Sequence, residues 1–317
     1  AFESEQRMII TVSLNPAVDR FITVRDFSPG GLNRVLYSRS FSGGKGNNVA
    51  SVLHRMGVPC LATGFMSGNA GRGAEAGLAD QGIRCAFVYT SGETRTNIKI
   101  TDESSRSCTE LNESGPPASS KDLTHLEKIL KKRVQAGDVV VFSGSLPEGI
   151  EPGAYARLMN EMKKQDAGTV LDADDEALGE GLRSSPDAIK PNIDELSRLA
   201  GRILTTPEEI IAAVREIRKS EDQKVLVSMG DRGAMLFGKV SVLYAQAPDV
   251  SVVNTVGAGD AMTAALAIGL SSGADDETLL RRSVAFAAAS VMSDHFECLT
   301  EEIVLKQEER IQIQRLS

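Results

Sequence analysis

Polar and apolar positions along the chain fall into two rhythms. Ile9–Leu14 is a largely apolar run and reads as a buried strand. Arg20–Phe27 and Asn33–Phe41 alternate residue by residue on either side of Ser28-Pro29-Gly30-Gly31, and Arg95–Thr101 and Arg106–Leu111 do so around the polar turn Asp102–Ser105. Neither pair encloses a helical segment, so these four strands are read as a small antiparallel sheet inserted into a larger body. Elsewhere the period is helical. Asn48–Arg55 puts Val49, Val52, Leu53 and Met56 on one face and stops at Gly57, and Asp122–Val134 repeats the pattern through Leu123, Leu126, Ile129 and Leu130. Strands at Asp138–Phe142, Thr169–Asp172 and Lys224–Ser228 alternate with helices near Gly153–Lys164, Ile193–Ala200 and Pro207–Lys219. A hairpin follows at Gly238-Lys239, and two small-residue helices, near Gly257–Leu270 and Glu277–Met292, are expected to finish the fold. Strand–helix alternation of this kind builds βαβ units around a parallel sheet. The polar stretch Glu113–Lys121, with Pro116-Pro117, marks the seam between the inserted sheet and the main body.

Length and charge narrow the choice of function. The 317 residues suit one large α/β unit, and 41% hydrophobic against 25% charged residues is a globular balance. The longest apolar stretches, near Met262–Leu270 and Val284–Met292, fall short of the ~18 residues of a membrane span. A net charge of -8 gives no global attraction to nucleic acid or anionic membranes, so neither is expected as a partner. Cys60, Cys85, Cys108 and Cys298 form no metal or redox spacing and read as reduced thiols of a cytoplasmic protein. His54, His125 and His295 are scattered and read as exposed or locally satisfied. Residues 1–7 are polar and mixed in charge, and are taken as an added or disordered extension ahead of a natural start at Met8.

In an open α/β sheet ligands sit at the carboxyl ends of strands, and four such ends carry unusual residues. Thr255-Val256-Gly257-Ala258-Gly259-Asp260 enters a helix: its glycines admit a ligand to the backbone, the helix start suits a phosphate, and Asp260 can take a proton from an attacking hydroxyl or simply complement the helix N-terminus. Met262 stands where a dinucleotide fingerprint needs Gly or Ala, which counts against a nicotinamide-dependent oxidoreductase. Ser42-Gly43-Gly44-Lys45-Gly46-Asn47-Asn48 is Walker-like only on the surface, since Gly46 follows Lys45 and Arg39 occupies the leading glycine position. It is either a glycine turn with a solvated lysine or a cradle for a hydroxylated or phosphorylated substrate. In Lys190-Pro191-Asn192-Ile193-Asp194-Glu195, the Asn-x-x-Glu spacing suits a helix capping pair and equally an arrangement of Mg²⁺-bound waters at a nucleotide. Ser228-Met229-Gly230-Asp231-Arg232-Gly233 is a turn or a phosphate or ribose contact. Asp19 and Arg95 are surface charges, or a sugar-hydroxyl acceptor and a phosphate clamp.

In this order, these segments resemble the PfkB branch of the ribokinase-like carbohydrate kinases from Met8 to about Met292, with Thr255–Asp260 the most specific element and Ser143-Gly144-Ser145-Leu146-Pro147 adding support. Leu14-Asn15-Pro16-Ala17-Val18-Asp19, Gly43-Gly44-Lys45-Gly46 and Gly92-Glu93-Thr94-Arg95 look most like the 1-phosphofructokinase and tagatose-6-phosphate kinase group. The resemblance implies a three-layer αβα sandwich spanning residues 8–317, with a mostly parallel sheet and an antiparallel lid inserted at about 20–42 and 94–112. It implies Asp260 as catalytic base, with Gly257, Ala258 and Gly259 as the anion hole. It implies Asp19, Gly43, Gly44 and Asn48 at the sugar, and Lys45, Arg95 and Ser145 near its phosphate. Lys190, Asn192, Glu195, Ser228, Gly230, Gly233 and Thr255 would face the nucleotide, with Asn192 and Glu195 acting on Mg²⁺ through water. ATP and Mg²⁺ are the implied cofactors, a sugar phosphate the partner, and a homodimer through the lid sheet the assembly. The expected reaction is fructose 1-phosphate to fructose 1,6-bisphosphate. Tagatose 6-phosphate to tagatose 1,6-bisphosphate is the alternative, and a non-catalytic sugar-phosphate sensor on the same fold is a reading of another class. Two departures stand out: Asn47 where relatives carry an aliphatic residue, and Ser293–Cys298, which lacks the expected adenine-side glycine.

Overall fold

Ile9–Ser13 (β1) is buried at every position because it is the inner strand of a large sheet, with parallel neighbours on both sides. The computed structural model describes residues 7–316, so all but Arg7 of the expected N-terminal extension lies outside the described residues. Along the chain come β2 (Ala17–Val24), β3 (Val35–Gly43), α1 (Lys45–Arg55), β4 (Cys60–Ser67), α2 (Gly68–Asp80), β5 (Arg84–Thr90), β6 (Arg95–Asp102) and β7 (Ser107–Asn112). Then follow α3 (Ser120–Arg133), β8 (Val139–Ser143), α4 (Ala154–Lys163), β9 (Gly168–Asp172), α5 (Asp175–Gly181), β10 (Ala188–Ile189), α6 (Ile193–Ala200) and α7 (Pro207–Ile217). The last elements are β11 (Lys224–Ser228), β12 (Ala234–Phe237), β13 (Val242–Ala245), α8 (Ala258–Ser272), α9 (Asp276–Ser290), α10 (Glu301–Glu308) and β14 (Ile313–Arg315).

The large sheet runs β14-β13-β12-β11-β10-β9-β8-β1-β4-β5, parallel from β5 to β11 and antiparallel through the last three strands. Its two faces carry separate cores. Ile10 and Val12 of β1 point to the side covered by α3, α4, α6 and α7, and Ile9 points to the side covered by α1, α2, α8, α9 and α10. This is the expected three-layer αβα arrangement. Helix ends follow local chemistry. Ser119 with Asp122, Asn192 with Glu195 and Thr206 with Glu209 each form a reciprocal capping box, and Pro207 occupies the first turn of α7.

The lid is the second sheet, ordered β3-β2-β6-β7. Its two hairpin pairs are antiparallel as expected, and a parallel pairing of β2 with β6 joins them side by side. Two expectations are corrected. The helix read from Asn48 begins at Lys45, because Gly44 turns the chain with φ 90 and brings the lysine into the first helical turn. The small-residue helices α8 and α9 do not end the fold, since α10 covers α9 and β14 adds an edge strand against β13.

Candidate active site

The carboxyl ends of β9 and β11 and the starts of α1 and α8 line one cleft, and there many of the singled-out residues converge. Asp260 lies in the first turn of α8 and is 7% exposed. Asn48 Nδ2, from α1, donates to its Oδ2 at 2.7 Å. Burial, reinforced by the nearby Asp172 carboxylate, pushes the Asp260 carboxyl up to about 7 from 3.8, against the opposing pull of Asn48, Lys45 and Lys190. Before it, Gly257 takes φ 84 with the Phe296 ring so close that a Cβ there would stand 2.5 Å from it. Only glycine makes that turn into the helix.

Asp172 ends β9 with its side chain 1% exposed. The Thr263 hydroxyl donates to its Oδ2 at 2.6 Å, and Lys190 and Lys45 stand at 3.4 and 3.3 Å. Burial works against its charge, but the two lysines and the hydroxyl prevail and hold it below the ordinary carboxylate range. Lys45 Nζ also meets Asp174 at 2.5 Å and Glu195 at 3.7 Å. Its burial favours the neutral amine, yet the three carboxylates outweigh that and keep it charged well above its ordinary range. Glu195 is raised by its own burial, partly offset by Lys45.

Asp172, Lys45, Lys190 and Glu195 line a cleft of about 820 Å³. Lys45, Lys190, Asn192, Glu195, Ser228, Gly230, Gly233, Thr255 and Gly257–Asp260 all line it, and Val252, Val284, Ala287, Ala288 and Val291 give its far end an apolar wall. The cleft therefore offers a charged floor, a glycine turn at a helix start and a slot for a flat apolar group. In the Asn192–Glu195 pair both capping bonds form, each at 2.8 Å, and Glu195 Oε1 remains on the Lys45 side. The capping and cleft-facing roles thus coexist.

Asp19, Gly43, Gly44, Asn48, Arg95 and Ser145 lie outside the cleft lining, towards the lid. Asn97 Nδ2 donates to Asp19 Oδ1 at 2.9 Å, and Lys99 Nζ stands 3.5 Å from Oδ2. Gly43 passes so near that a Cβ would sit 2.3–2.7 Å from the Asp19 carboxylate atoms. Arg95 donates to the carbonyls of Asn15 at 3.0 Å and Glu113 at 3.2 Å, while its buried Nε has no partner. Asn15 in turn donates to the Ser145 hydroxyl at 3.1 Å. Lys45, read from the sequence as a contact near the substrate phosphate, reaches to the carboxylates of Asp172, Asp174 and Glu195. Asp172, Asp174, Thr263, Asn97 and Lys99 were not singled out in the sequence. Asp172 could have been, since it ends a predicted strand at its carboxyl end.

Comparison with known proteins fits this geometry. Residues 12–295 match the pfkB family carbohydrate kinases. A 1-phosphofructokinase of Bacillus subtilis is 36% identical over 98% of this chain and 100% of its own. A tagatose-6-phosphate kinase of Staphylococcus epidermidis is 36% identical over 90% of this chain and 92% of its own. Phosphofructokinase-2 of Escherichia coli, solved in complex with substrates and products, superposes with a TM-score of 0.89 at 28% identity, covering 96% of this chain and 99% of that one. Among the described residues no helix is long and apolar enough to cross a membrane, and no group of three or more His, Cys, Asp or Glu is placed to hold a metal. With the family match spanning residues 12–295 and relatives 36% identical over at least 90% of its length, the chain belongs to the pfkB family of carbohydrate kinases.

Proposed function

We propose that this kinase transfers the terminal phosphoryl group of ATP to the 6-hydroxyl of fructose 1-phosphate, giving fructose 1,6-bisphosphate and ADP. What carries the phosphoryl-transfer reading is Asp260: a carboxylate pushed up to about 7, lining the large cleft and bonded to Asn48 of α1. A base near the working pH takes the hydroxyl proton as the new O–P bond forms and the bond to ADP breaks. The Gly257–Gly259 turn presents backbone N–H groups to the phosphoryl oxygens. ATP fits the cleft with its base against Val252, Val284 and Val291 and its phosphates towards Gly257. The sugar lies under the lid on Asp19, Asn48 and Asn97, with Arg95 and Ser145 towards its phosphate. Lys45, released from Asp174, supplies a further cation there.

The donor set also fits Mg²⁺. Four carboxylates (Asp172, Asp174, Glu195, Asp260) face two lysines (Lys45, Lys190), a hard-oxygen surplus, but the described residues hold no three-carboxylate cage. That suits a hydrated ion shared with nucleotide phosphates, with Asn192 and Glu195 acting through water. Bound there, Mg²⁺ would neutralise charge on the transferring group.

We also propose that the enzyme is cytoplasmic, in keeping with its four free cysteines, and a homodimer through the lid. Both outer lid strands leave unpaired edges, and Leu32, Val35, Leu36, Tyr37 and Leu111 are each at least 48% exposed. The test is ADP release with MgATP and, separately, fructose 1-phosphate, tagatose 6-phosphate, fructose 6-phosphate and fructose. Preference for fructose 1-phosphate is expected. Preference for tagatose 6-phosphate, the named substrate of a 36% identical relative, would keep the mechanism and replace the substrate. No turnover on all four would overturn the proposal.

A further inference from the structure

We propose that residues 294–297 form a latch coupling the lid to the Gly257–Gly259 turn, so that His295 and Phe296 are positioning residues for phosphoryl transfer; this rests on the kinase assignment above. The segment follows α9, and its side chains alternate in direction. His295 and Glu297 face the lid. The imidazole stacks on Phe41 of β3 with centroids 3.8 Å apart and planes 10° apart, and Glu297 pairs with Arg39 of the same strand at 2.8 Å. Asp294 and Phe296 face the loop before α8. Asn254 Nδ2 donates to Asp294 at 3.4 Å, while its own Oδ1 accepts from the Val256 N–H at 2.9 Å. Phe296, 2% exposed, fills the space beside Gly257.

The contacts continue on the lid side. Phe41 meets Phe21 edge-on at 5.7 Å, and Lys99 Nζ lies 5.1 Å above the Phe21 ring and 3.5 Å from Asp19. One packed series thus runs from an acceptor-side carboxylate through Lys99 and four rings (Phe21, Phe41, His295, Phe296) to the anion-hole backbone. The joint itself is strained. His295 and Phe296 have φ 42 and 64, left-handed backbone that such side chains rarely adopt, and it persists only where surrounding contacts impose it. Those contacts come from both sides, so a lid that moves away withdraws half of them. Packed joints of this kind switch between discrete arrangements rather than bending smoothly. Burial, with Arg55 nearby, pushes the imidazole down to about 4, and its buried Nε2 has no partner. At neutral pH the ring therefore packs as an uncharged aromatic surface, and a phenyl ring can replace it.

The test uses the full chain with His295→Ala, His295→Phe, Phe41→Ala and the His295→Ala/Phe41→Ala double variant. Kinetics with MgATP and fructose 1-phosphate are paired with amide hydrogen exchange of the free protein. For His295→Ala, a fall of about tenfold in kcat is expected, with KM for ATP within about twofold of wild type. His295→Phe should recover most of kcat, and the double variant should be no worse than the poorer single by more than about twofold, because both remove the same stack. Exchange should rise together in residues 37–41 and 254–259 in both His295→Ala and Phe41→Ala. An unchanged kcat in His295→Ala, a His295→Phe as impaired as His295→Ala, or exchange rising on one side only would overturn the latch. Phe41→Ala probes the stack from the lid should His295→Ala fail to fold. Exchange needs no turnover, so a wild-type protein inactive on every sugar phosphate would sink the kinase assignment while the coupling is still decided.

Discussion

Replacing Asp260 with Asn should remove activity and, at alkaline pH, raise stability. The substitution is nearly isosteric, and the new amide oxygen can still accept from Asn48 Nδ2, which donates to Asp260 at 2.7 Å. Losing the base should lower kcat by about 10²–10⁴-fold. The stability effect has the opposite sign. The folded protein holds the Asp260 proton to about pH 7, whereas the unfolded chain releases it near 3.8. Between those values the folded state binds more protons than the unfolded one, so this group makes stability fall as pH rises. Above pH 7 the accumulated cost approaches about 4 kcal/mol, an upper figure because relaxation and the lysines soften it. Asn carries no such cost. The Tm difference between variant and wild type should therefore be small at pH 4 and grow to several degrees in favour of the variant by pH 8, at about 2 °C per kcal/mol. Thermal melts at four pH values, run beside ADP release, test both halves. A variant equally or more destabilised at pH 8 than at pH 4 would refute the electrostatic account, and retained turnover would refute the base.

Other substitutions separate the two halves of the site. Gly43→Ala puts a methyl group 2.3–2.7 Å from the Asp19 carboxylate atoms, and should raise KM for the sugar phosphate by at least about tenfold while leaving KM for ATP alone. Lys99→Met strands the buried Asp19 carboxylate, with both side chains 6% exposed, and should cost about 3 kcal/mol in denaturant unfolding, much of it recovered in an Asp19→Asn/Lys99→Met double variant. Leu111→Asp places a charge on an exposed apolar lid position and should shift sedimentation from dimer to monomer. Chelating Mg²⁺ with EDTA should stop ADP release, and added Mg²⁺ should restore it within the same assay.

Elements with a clean period were legible to within about three residues at their ends, as boundaries defined by fraying allow. Those without one were not. β4 is buried at all eight positions and so shows no alternation, and α2, GNAGRGAEAGLAD, contains four glycines that hide its helical face. In the site, the glycine-rich strand ends declared themselves because close backbone approach is a local requirement. Asp172 and Asp174 beside Lys45 did not, because their meaning comes from a partner far along the chain: Lys45 and Asp172 are 127 residues apart. Lys99 was hidden differently. It occupies an alternating strand position that a solvated lysine would fill equally well, and only the pairing of β2 with β6 brings it opposite Phe21 and beside Asp19.

The chemical difference between the two buried aspartates follows from their neighbours rather than from burial, which they share. Asp172 is held by two ammonium groups and a donated hydroxyl, so it stays ionised and its charge is spent on fixing Lys45 and Lys190. Asp260 is raised first by its burial and then by the facing charge of Asp172, and the Asn48 amide and the two lysines offset only part of that, so it keeps affinity for a proton. Environments that drive like groups apart in pKa separate a structural charge from a base. The charged floor therefore does two things at once. It orders the lysines that face an anionic substrate, and through Asp172 it raises the basicity of Asp260. Changing Asp172 should consequently lower the apparent pKa of the activity profile as well as its height, an outcome that loss of a lysine anchor alone does not produce.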